Sequence, residues 1–304
     1  MMNQNTETPM IHVDSLCKRY DEAEVLHRIC FEIGAGHIVG VVGPNSSGKS
    51  TLLRHLVGLT LPSGGSCQTF GVEASRLSPQ QLSQIGYVHQ EAELLGWMRC
   101  KELIRYTAAH YPTWNLEIEK HLIDLFQLDL HKKVCKMSPG QRQMLSILLA
   151  SCYEPKLLIL DEPAAALDPV ARIRFLELLL EMLHDGDRTI VISSHILSDI
   201  EKIIDHVLIL DDGNLREACP FDELLEAYVR LELISVDGDL PPRLPFSNMF
   251  SCQQQGPRAI ITMKRPDMTD EEIGARLNCQ VMHHPLSFEE IYPLTLAKNG
   301  RAYA

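Results

Sequence analysis

The 304-residue sequence lacks the features that would place it in a membrane-spanning or secreted class. No apolar run approaches about eighteen residues, so we expect no transmembrane helix. The first residues, Met1 to Pro9, carry neither a basic nor an apolar segment, and we therefore expect no secretory signal. These absences favour a protein that works inside the cell.

Cysteine pairs and an excess of positive charge are also missing. Nine cysteines are scattered without a C-x-x-C pair or histidines at zinc-finger spacing, which predicts reduced, mostly buried thiols in the cytosol. The 28 Lys and Arg residues face 40 Asp and Glu residues, and the net charge of −12 argues against nucleic acid as a partner. Apolar content of 45% is instead typical of a globular protein.

The most informative segment that is present is a complete G-x-x-x-x-G-K-[ST] phosphate loop. It consists of Gly43, Pro44, Asn45, Ser46, Ser47, Gly48, Lys49 and Ser50. Residues 38–42 before it predict a buried strand, and the residues from Thr51 to Leu56 predict an amphipathic helix. A Gly/Ser-rich turn with an exposed lysine is the alternative. In the context of a strand and a helix, the loop predicts binding of a nucleoside triphosphate through its backbone N–H groups and the helix N-terminus. Lys49 would reach the β- and γ-phosphate oxygens, and the Ser50 hydroxyl would bind Mg²⁺.

A second motif, which is acidic, follows about 110 residues after the phosphate loop. Residues 157–160 form a short aliphatic run that is typical of a buried parallel strand, and Asp161 and Glu162 follow it directly. Ligands bind at the carboxyl ends of such strands. Asp161 would then hold Mg²⁺, and Glu162 would orient or deprotonate the attacking water. A solvated acidic turn is the alternative for this pair.

The segment Met137 to Gln143 on its own predicts a helix start, with Ser138 as the N-cap and Pro139 at the first helical position. Together with the two elements above it resembles the LSGGQ signature of ABC-type ATPases. The other marks of that family occur in order along residues 10–225. They are Tyr20 at the position of an adenine-stacking aromatic, Gln90 at the Q-loop, Asp168 at the D-loop and His195 at the switch histidine.

Each of these four residues has a structural alternative. Tyr20 would be a half-buried packing residue, Gln90 a solvated strand end and Asp168 an ordinary turn residue before proline. His195 would be a core histidine bonded to the backbone. The ordered set favours the functional interpretation for all four.

The sequence departs from the family pattern in two motifs. Ser46 and Ser47 replace small residues of the phosphate loop, and serine tolerates a positive φ less well than glycine. Pro139 replaces the first glycine of the signature and removes one backbone donor. We expect nucleotide binding to survive both changes, whereas the proline brings the rate of turnover into question.

The resemblance implies a site that is shared between two chains arranged head to tail. Residues 43–50 and Thr51 of one chain would hold ATP with Mg²⁺ on Ser50, Gln90 and Asp161. Ser138, Gly140 and Gln141 of the other chain would close over the nucleotide. Catalysis would fall to Glu162, His195, Gln90 and Asp168. A homodimer is favoured over a heterodimer.

The predicted fold is α/β, with a P-loop NTPase core of the ABC ATPase type. It combines a parallel-sheet core, an antiparallel β portion and a helical subdomain at about residues 91–150. Residues 1–225 would form this ATPase domain, and residues 226–304 a small α+β extension of unknown role, with two capping-box helix starts at Thr269 and Ser287. Adjacent His283 and His284 are interpreted as surface residues, because neighbours on a strand point to opposite faces.

The resemblance further implies an ATPase subunit of an ABC transporter. It would lie on the cytoplasmic side of the cell membrane and drive transport, with export favoured, through a separate transmembrane permease. The alternatives are a soluble ABC ATPase outside transport and a regulatory ATP-binding module with weak turnover. The sequence does not identify the cargo.

Overall fold

The computed structural model describes residues 8–91, 93–184, 188–266 and 268–297. Residues 1–7 lie outside the described residues, and most of the segment for which we expect no secretory signal falls there. Residues 298–304 of the predicted extension also lie outside the described residues. The chain divides into two compact units, the first ending at Ala218 and the second beginning at Cys219. This division falls a few residues before the predicted boundary after residue 225.

The first unit alternates strands and helices after an initial strand pair. Its elements are β1 (Ile11–Tyr20), β2 (Ala23–Ile33), β3 (Ile38–Val42), α1 (Lys49–Leu56), β4 (Gly64–Thr69), β5 (Val72–Glu73), α2 (Pro79–Leu82), β6 (Ile85–Val88), α3 (Cys100–Ala108), α4 (Leu116–Phe126), α5 (Pro139–Ser151), β7 (Leu157–Leu160), α6 (Pro169–His184), β8 (Thr189–Ser194), α7 (Leu197–Ile200), β9 (His206–Asp211) and β10 (Asn214–Pro220). Short 3₁₀ turns occur at Ala74–Arg76 and Val134–Lys136.

The central sheet has six strands in the order β10-β9-β3-β8-β7-β6, and the pairs among β9, β3, β8, β7 and β6 are parallel. Every residue of β3, β7 and β8 is buried. Strands covered on both faces need apolar side chains on both, which explains their continuous aliphatic runs. The strands predicted at 38–42 and 157–160 are confirmed as β3 and β7. The carboxyl ends of β3, β7 and β8 place Gly43, Asp161 and His195 at the same edge of the sheet.

A second sheet of the first unit has the order β2-β1-β4-β5 and is antiparallel. Ile11 pairs with Ile33, and the buried side chains of Leu16, Leu26 and Ile29 join the core that α1 also contacts. The predicted antiparallel portion is thus confirmed, with longer strands than the apolar residues alone had indicated.

Helices α3, α4 and α5 lie in the stretch where the sequence pattern turned helical. Between α3 and α4 the chain leaves the helical conformation, and the Tyr111 ring there stacks on Tyr153 with centroids 3.8 Å apart. Asn115 then starts α4, because its side chain accepts hydrogen bonds from the backbone N–H groups of Glu117 and Ile118.

The second unit contains an antiparallel sheet in the order β12-β13-β11-β14. Its elements are α8 (Phe221–Ala227), β11 (Tyr228–Ser235), β12 (Met249–Gln255), β13 (Arg258–Lys264), α9 (Asp270–Leu277), β14 (Cys279–His284) and α10 (Phe288–Leu296). Leu231, Ile261 and Ile273 are buried in its core. Both predicted capping boxes are present, since Thr269 and Ser287 start α9 and α10. This unit matches the α+β extension expected from the sequence.

The expectation that the cysteines are mostly buried is wrong. Four of the nine are buried, whereas Cys30, Cys135 and Cys252 are exposed. Strand alternation explains the first case, because Cys30 lies between buried Ile29 and Phe31 and therefore faces outward. Within the described ranges, no helix has the length and apolar character needed to cross a membrane.

Candidate nucleotide-binding site

The phosphate loop leaves β3 and enters α1 through a turn that requires glycine at two positions. Gly48 has φ of +103°, and a Cβ there would lie 2.7 Å from a methyl carbon of Leu26. A Cβ on Gly43 would lie 2.3 Å from the Leu210 carbonyl oxygen. Ser46 adopts φ of 69°, so the loop does place one of its serines in the left-handed region. The loop geometry is therefore set by close backbone approaches.

Lys49 lies across this loop and is 6% exposed. Its ammonium donates hydrogen bonds to the carbonyl oxygens of Gly43 (2.8 Å) and Pro44 (3.1 Å), and lies 3.4 Å from Glu162 Oε1. The Ser47 hydroxyl is buried and has no hydrogen-bond partner among the described residues. A buried cation and an unpaired hydroxyl in one loop at a helix N-terminus fit a phosphate group.

Asp161 and Ser50 form the part of the site that fits a divalent cation. The Ser50 hydroxyl donates to Asp161 Oδ1 at 3.0 Å, and the Ser193 hydroxyl donates to the same oxygen at 2.9 Å. Asp161 is fully buried, and its other oxygen, Oδ2, has no partner among the described residues. A hydroxyl beside a carboxylate with an unused oxygen is the oxygen donor set that Mg²⁺ prefers.

Glu162 lies between His195 and Lys49. Its Oε2 is 2.7 Å from His195 Nδ1, and its side chain is 7% exposed. Its backbone N–H donates to the Ser193 hydroxyl at 2.8 Å, and its φ of 49° lies in the left-handed region. The His195 side chain is 46% exposed, so it is not the buried core histidine considered as the alternative.

A cavity of about 440 Å³ joins these groups. Its wall is formed by Val25, Asn45, Ser46, Ser47, Gly48, Lys49, Ser50, Thr51, Gln90 and Glu162. The phosphate loop, Gln90 and Glu162 thus line one cavity, and Asp161 is connected to it through its hydrogen bond with Ser50. Tyr20 does not line this cavity. It ends β1 as an exposed residue with the Lys18 ammonium 4.7 Å from its ring centroid, so adenine stacking stays a prediction.

The signature and D-loop residues line a different cavity, of about 640 Å³. The Ser138 hydroxyl accepts from the Gln141 N–H at 3.2 Å, and the Gln141 side chain accepts in turn from the Ser138 N–H. Asp168 starts α6 by accepting from two backbone N–H groups. A Cβ on Gly140 would lie 2.8 Å from the carbonyl oxygen of Ala166. The start of α5 and the D-loop are therefore in direct contact.

Two residues at the site were missed by the sequence analysis. Ser193 bonds both Asp161 and Glu162, although a serine at the end of an apolar strand carries no motif of its own. The parallel register that pairs Leu160 with Ile192 places it there, and a strand alignment of β7 with β8 would have found it. The second is Val25 of β2, which lines the cavity beside the phosphate loop.

The fold and the site together define a P-loop nucleoside triphosphatase. A family model described as ABC transporter matches residues 26–165. The bacitracin transport ATP-binding protein BcrA of Bacillus licheniformis is 32% identical over 217 residues, which are 71% of this chain and 71% of that protein. The chain belongs to the ABC transporter family and is an ATPase subunit of that family.

Two further comparisons extend this assignment. The Nod factor export ATP-binding protein I of Ralstonia nicotianae is 26% identical over 302 residues, covering 94% of this chain and 93% of that protein. A solved structure of an ATP-binding subunit of an ABC transporter superposes with a TM-score of 0.64 at 29% identity. The superposition covers 71% of this chain and 91% of the chain in that structure. The Nod factor protein therefore matches both units, whereas the solved structure covers less of this chain.

Proposed function

We propose that this chain hydrolyses ATP to drive export through a separately encoded transmembrane permease, and that two chains close head to tail around the nucleotide. The observation that carries this proposal is the separation of two cavities on one chain. One contains the phosphate loop and Glu162, and the other contains the signature residues Ser138 and Gly140. A complete site then needs the second cavity of another copy.

In the proposed mechanism, Lys49 and the N–H groups of the phosphate loop bind and orient the triphosphate. Ser50, Gln90 and Asp161 would hold Mg²⁺, which supplies charge neutralisation at the phosphate oxygens. Glu162 accepts the proton of the attacking water, and His195, 2.7 Å from its carboxylate, keeps that carboxylate oriented. Catalysis by this chain is mostly positioning and charge stabilisation.

Ser138, Gly140 and Gln141 of a second chain would cover the γ-phosphate, with Asp168 beside them. The capping box between Ser138 and Gln141 fixes the start of α5, and a helix N-terminus suits contact with an anion. An identical second chain is the simplest partner, because each copy contributes one cavity of each kind. Nucleotide would then hold the two copies together, and hydrolysis would release them.

The transport direction and the location rest on the relatives. The Nod factor protein, whose name states export, matches 94% of this chain, including the second unit. We place the subunit on the cytoplasmic face of the membrane, where ATP is found and where a permease would dock. Substrate choice belongs to that permease.

The test is isolation of the tagged chain from native membranes in mild detergent, with partners identified by mass spectrometry. We expect a multi-span protein to co-purify, and Glu162→Gln with ATP to leave it attached while hydrolysis is lost. Glu223→Gln, an exposed carboxylate on α8, is the matched control and should behave like the wild type. Recovery of soluble partners alone from an active ATPase would overturn the transport proposal. Inactivity of the wild type with its partner present would favour a regulatory module.

A further inference from the structure

A cluster of two histidines and an aspartate lies at the edge of the central sheet opposite the nucleotide site. His37 precedes β3, and Asp205 and His206 stand at the start of β9. His37 Nδ1 is 3.1 Å from Asp205 Oδ2, and His206 Nδ1 is 2.9 Å from Asp205 Oδ1. One ligand atom from each residue lies within 4.8 Å of the other two. The function proposed above uses none of these side chains.

The backbone around this cluster is held by the sheet. The Asp205 N–H donates to the Ile38 carbonyl at 3.0 Å, and the His37 carbonyl accepts from the Ile190 N–H at 2.8 Å. His206 is paired with Val39 in the parallel ladder between β3 and β9. The three side chains are 37%, 46% and 31% exposed, so an ion and its water ligands can reach them from solvent. The sheet therefore fixes the backbone of the three residues, while their side chains remain free to adjust to an ion.

The spacing of the donors suits a transition metal. Metal–ligand bonds of about 2.0–2.1 Å in a tetrahedron put neighbouring ligand atoms about 3.3–3.4 Å apart. The nitrogen–oxygen separations, 3.1 Å from His37 Nδ1 to Asp205 Oδ2 and 2.9 Å from His206 Nδ1 to Asp205 Oδ1, are close to this value but end on different carboxylate oxygens. A rotation of the part-exposed Asp205 side chain would present one oxygen to both imidazoles. The imidazole rings also lie side by side, with centroids 4.3 Å apart. Two imidazoles and one carboxylate suit Zn²⁺ or Ni²⁺, whereas Mg²⁺ prefers oxygen.

We propose that His37, Asp205 and His206 bind one divalent transition-metal ion, with water completing its coordination. The ion would take the place of the hydrogen bonds between the two imidazoles and the carboxylate, and each ring would bind it through Nδ1 while its proton moves to Nε2. It would also link the loop before β3 to the first residues of β9, about 15 Å of strand away from the phosphate loop. Because an ion bound only to the folded state stabilises it, metal should raise the melting temperature of the chain.

The test uses the full-length chain without nucleotide, titrated with Zn²⁺ alone by isothermal calorimetry. We expect one ion per chain and a rise in melting temperature. In His37→Gln/His206→Gln, binding should weaken by about tenfold to a hundredfold, and the rise in melting temperature at the same Zn²⁺ concentration should disappear. The matched control is His283→Gln/His284→Gln, which alters another histidine pair with acidic neighbours and should bind like the wild type.

Substituting Co²⁺ separates this site from the cysteines. Ligation by imidazole and carboxylate gives weak visible bands without the intense thiolate charge-transfer band that cysteine ligation produces. A thiolate band, or Zn²⁺ binding that is unchanged in His37→Gln/His206→Gln, would overturn the proposal. Circular dichroism and the metal-free melting temperature of each variant confirm that it folds, so lost binding is attributable to lost ligands.

Discussion

Replacing Ser193 by alanine should damage the site although this residue belongs to no recognised motif. The Ser193 side chain is fully buried and holds both acidic residues at once. Its hydroxyl donates to Asp161 Oδ1 at 2.9 Å and accepts from the Glu162 N–H at 2.8 Å. Ser193→Ala therefore removes a donor from a buried carboxylate and leaves a backbone N–H unpaired.

The magnitude follows from these two contacts. A hydrogen bond to a charged group contributes about 1.5–3 kcal/mol, and a buried unpaired N–H costs about 1–3 kcal/mol. We expect Ser193→Ala to lower the free energy of unfolding by about 3 kcal/mol in total. If half of this loss is expressed in the transition state of hydrolysis, the rate falls about tenfold, because about 1.4 kcal/mol corresponds to a factor of ten.

The assay combines urea denaturation with steady-state ATP hydrolysis. The matched control is Ser194→Ala, because Ser194 is the next residue and is also buried. Among the described residues, its hydroxyl bonds only the backbone of Ile196. Ser194→Ala should lose stability while keeping the rate per folded molecule. A Ser193→Ala protein with stability and rate equal to those of Ser194→Ala would refute the role of this hydroxyl in positioning the acidic pair.

Three further substitutions test other parts of the chain. Gly140→Ala should reduce hydrolysis about tenfold or more with unchanged ATP affinity, measured by nucleotide titration, because its Cβ would lie 2.8 Å from the Ala166 carbonyl oxygen. Pro139→Gly restores a backbone donor at the start of α5 and should raise the turnover number up to about tenfold in the same assay. Glu232 has its pKa lowered, first by Arg258, so its carboxylate stabilises the fold above the usual carboxyl pKa of about 4.3. That contribution is lost as pH falls through the lowered pKa, and Glu232→Gln should flatten the acid limb of melting temperature against pH.

Each of these has a contradicting outcome. Gly64→Ala is the control for Gly140→Ala, since its added Cβ would meet nothing closer than 3.7 Å; equal losses in both would remove the contact argument. A slower Pro139→Gly enzyme would indicate that the proline assists the signature. A Glu232→Gln protein with the same acid limb as the wild type would show that this carboxylate does not govern acid stability.

The elements predicted well from the sequence are the strands whose two faces are both buried. The aliphatic run 157–160 is a strand with the predicted bounds, because a strand covered on both faces has one simple pattern. Strand β4 was not predicted, since Gly64 and Gly65 begin it and glycine is rare in strands. Its place comes from pairing with β1, a contact distant in the sequence.

At the site, sequence located the residues that motifs record and left out those that strand neighbours supply. Lys49, Ser50 and Glu162 meet as their spacing in the chain implied. No motif includes Ser193, because its importance depends on the register of β8 against β7. The registers of parallel strands joined by long connections are set by tertiary packing and are not visible in a local pattern.

The left-handed backbone at Glu162 has a consequence for which substitutions this position tolerates. With φ of 49°, the residue occupies a region that β-branched side chains avoid and that glycine and asparagine accept readily. A saturation scan at 162 would therefore separate two requirements. With glycine or asparagine at this position, the amount of folded protein would be unchanged but ATP hydrolysis would be lost. With valine or isoleucine, the amount of folded protein itself would fall. The backbone therefore restricts which residues position 162 accepts during evolution, independently of the catalytic role proposed for its carboxylate.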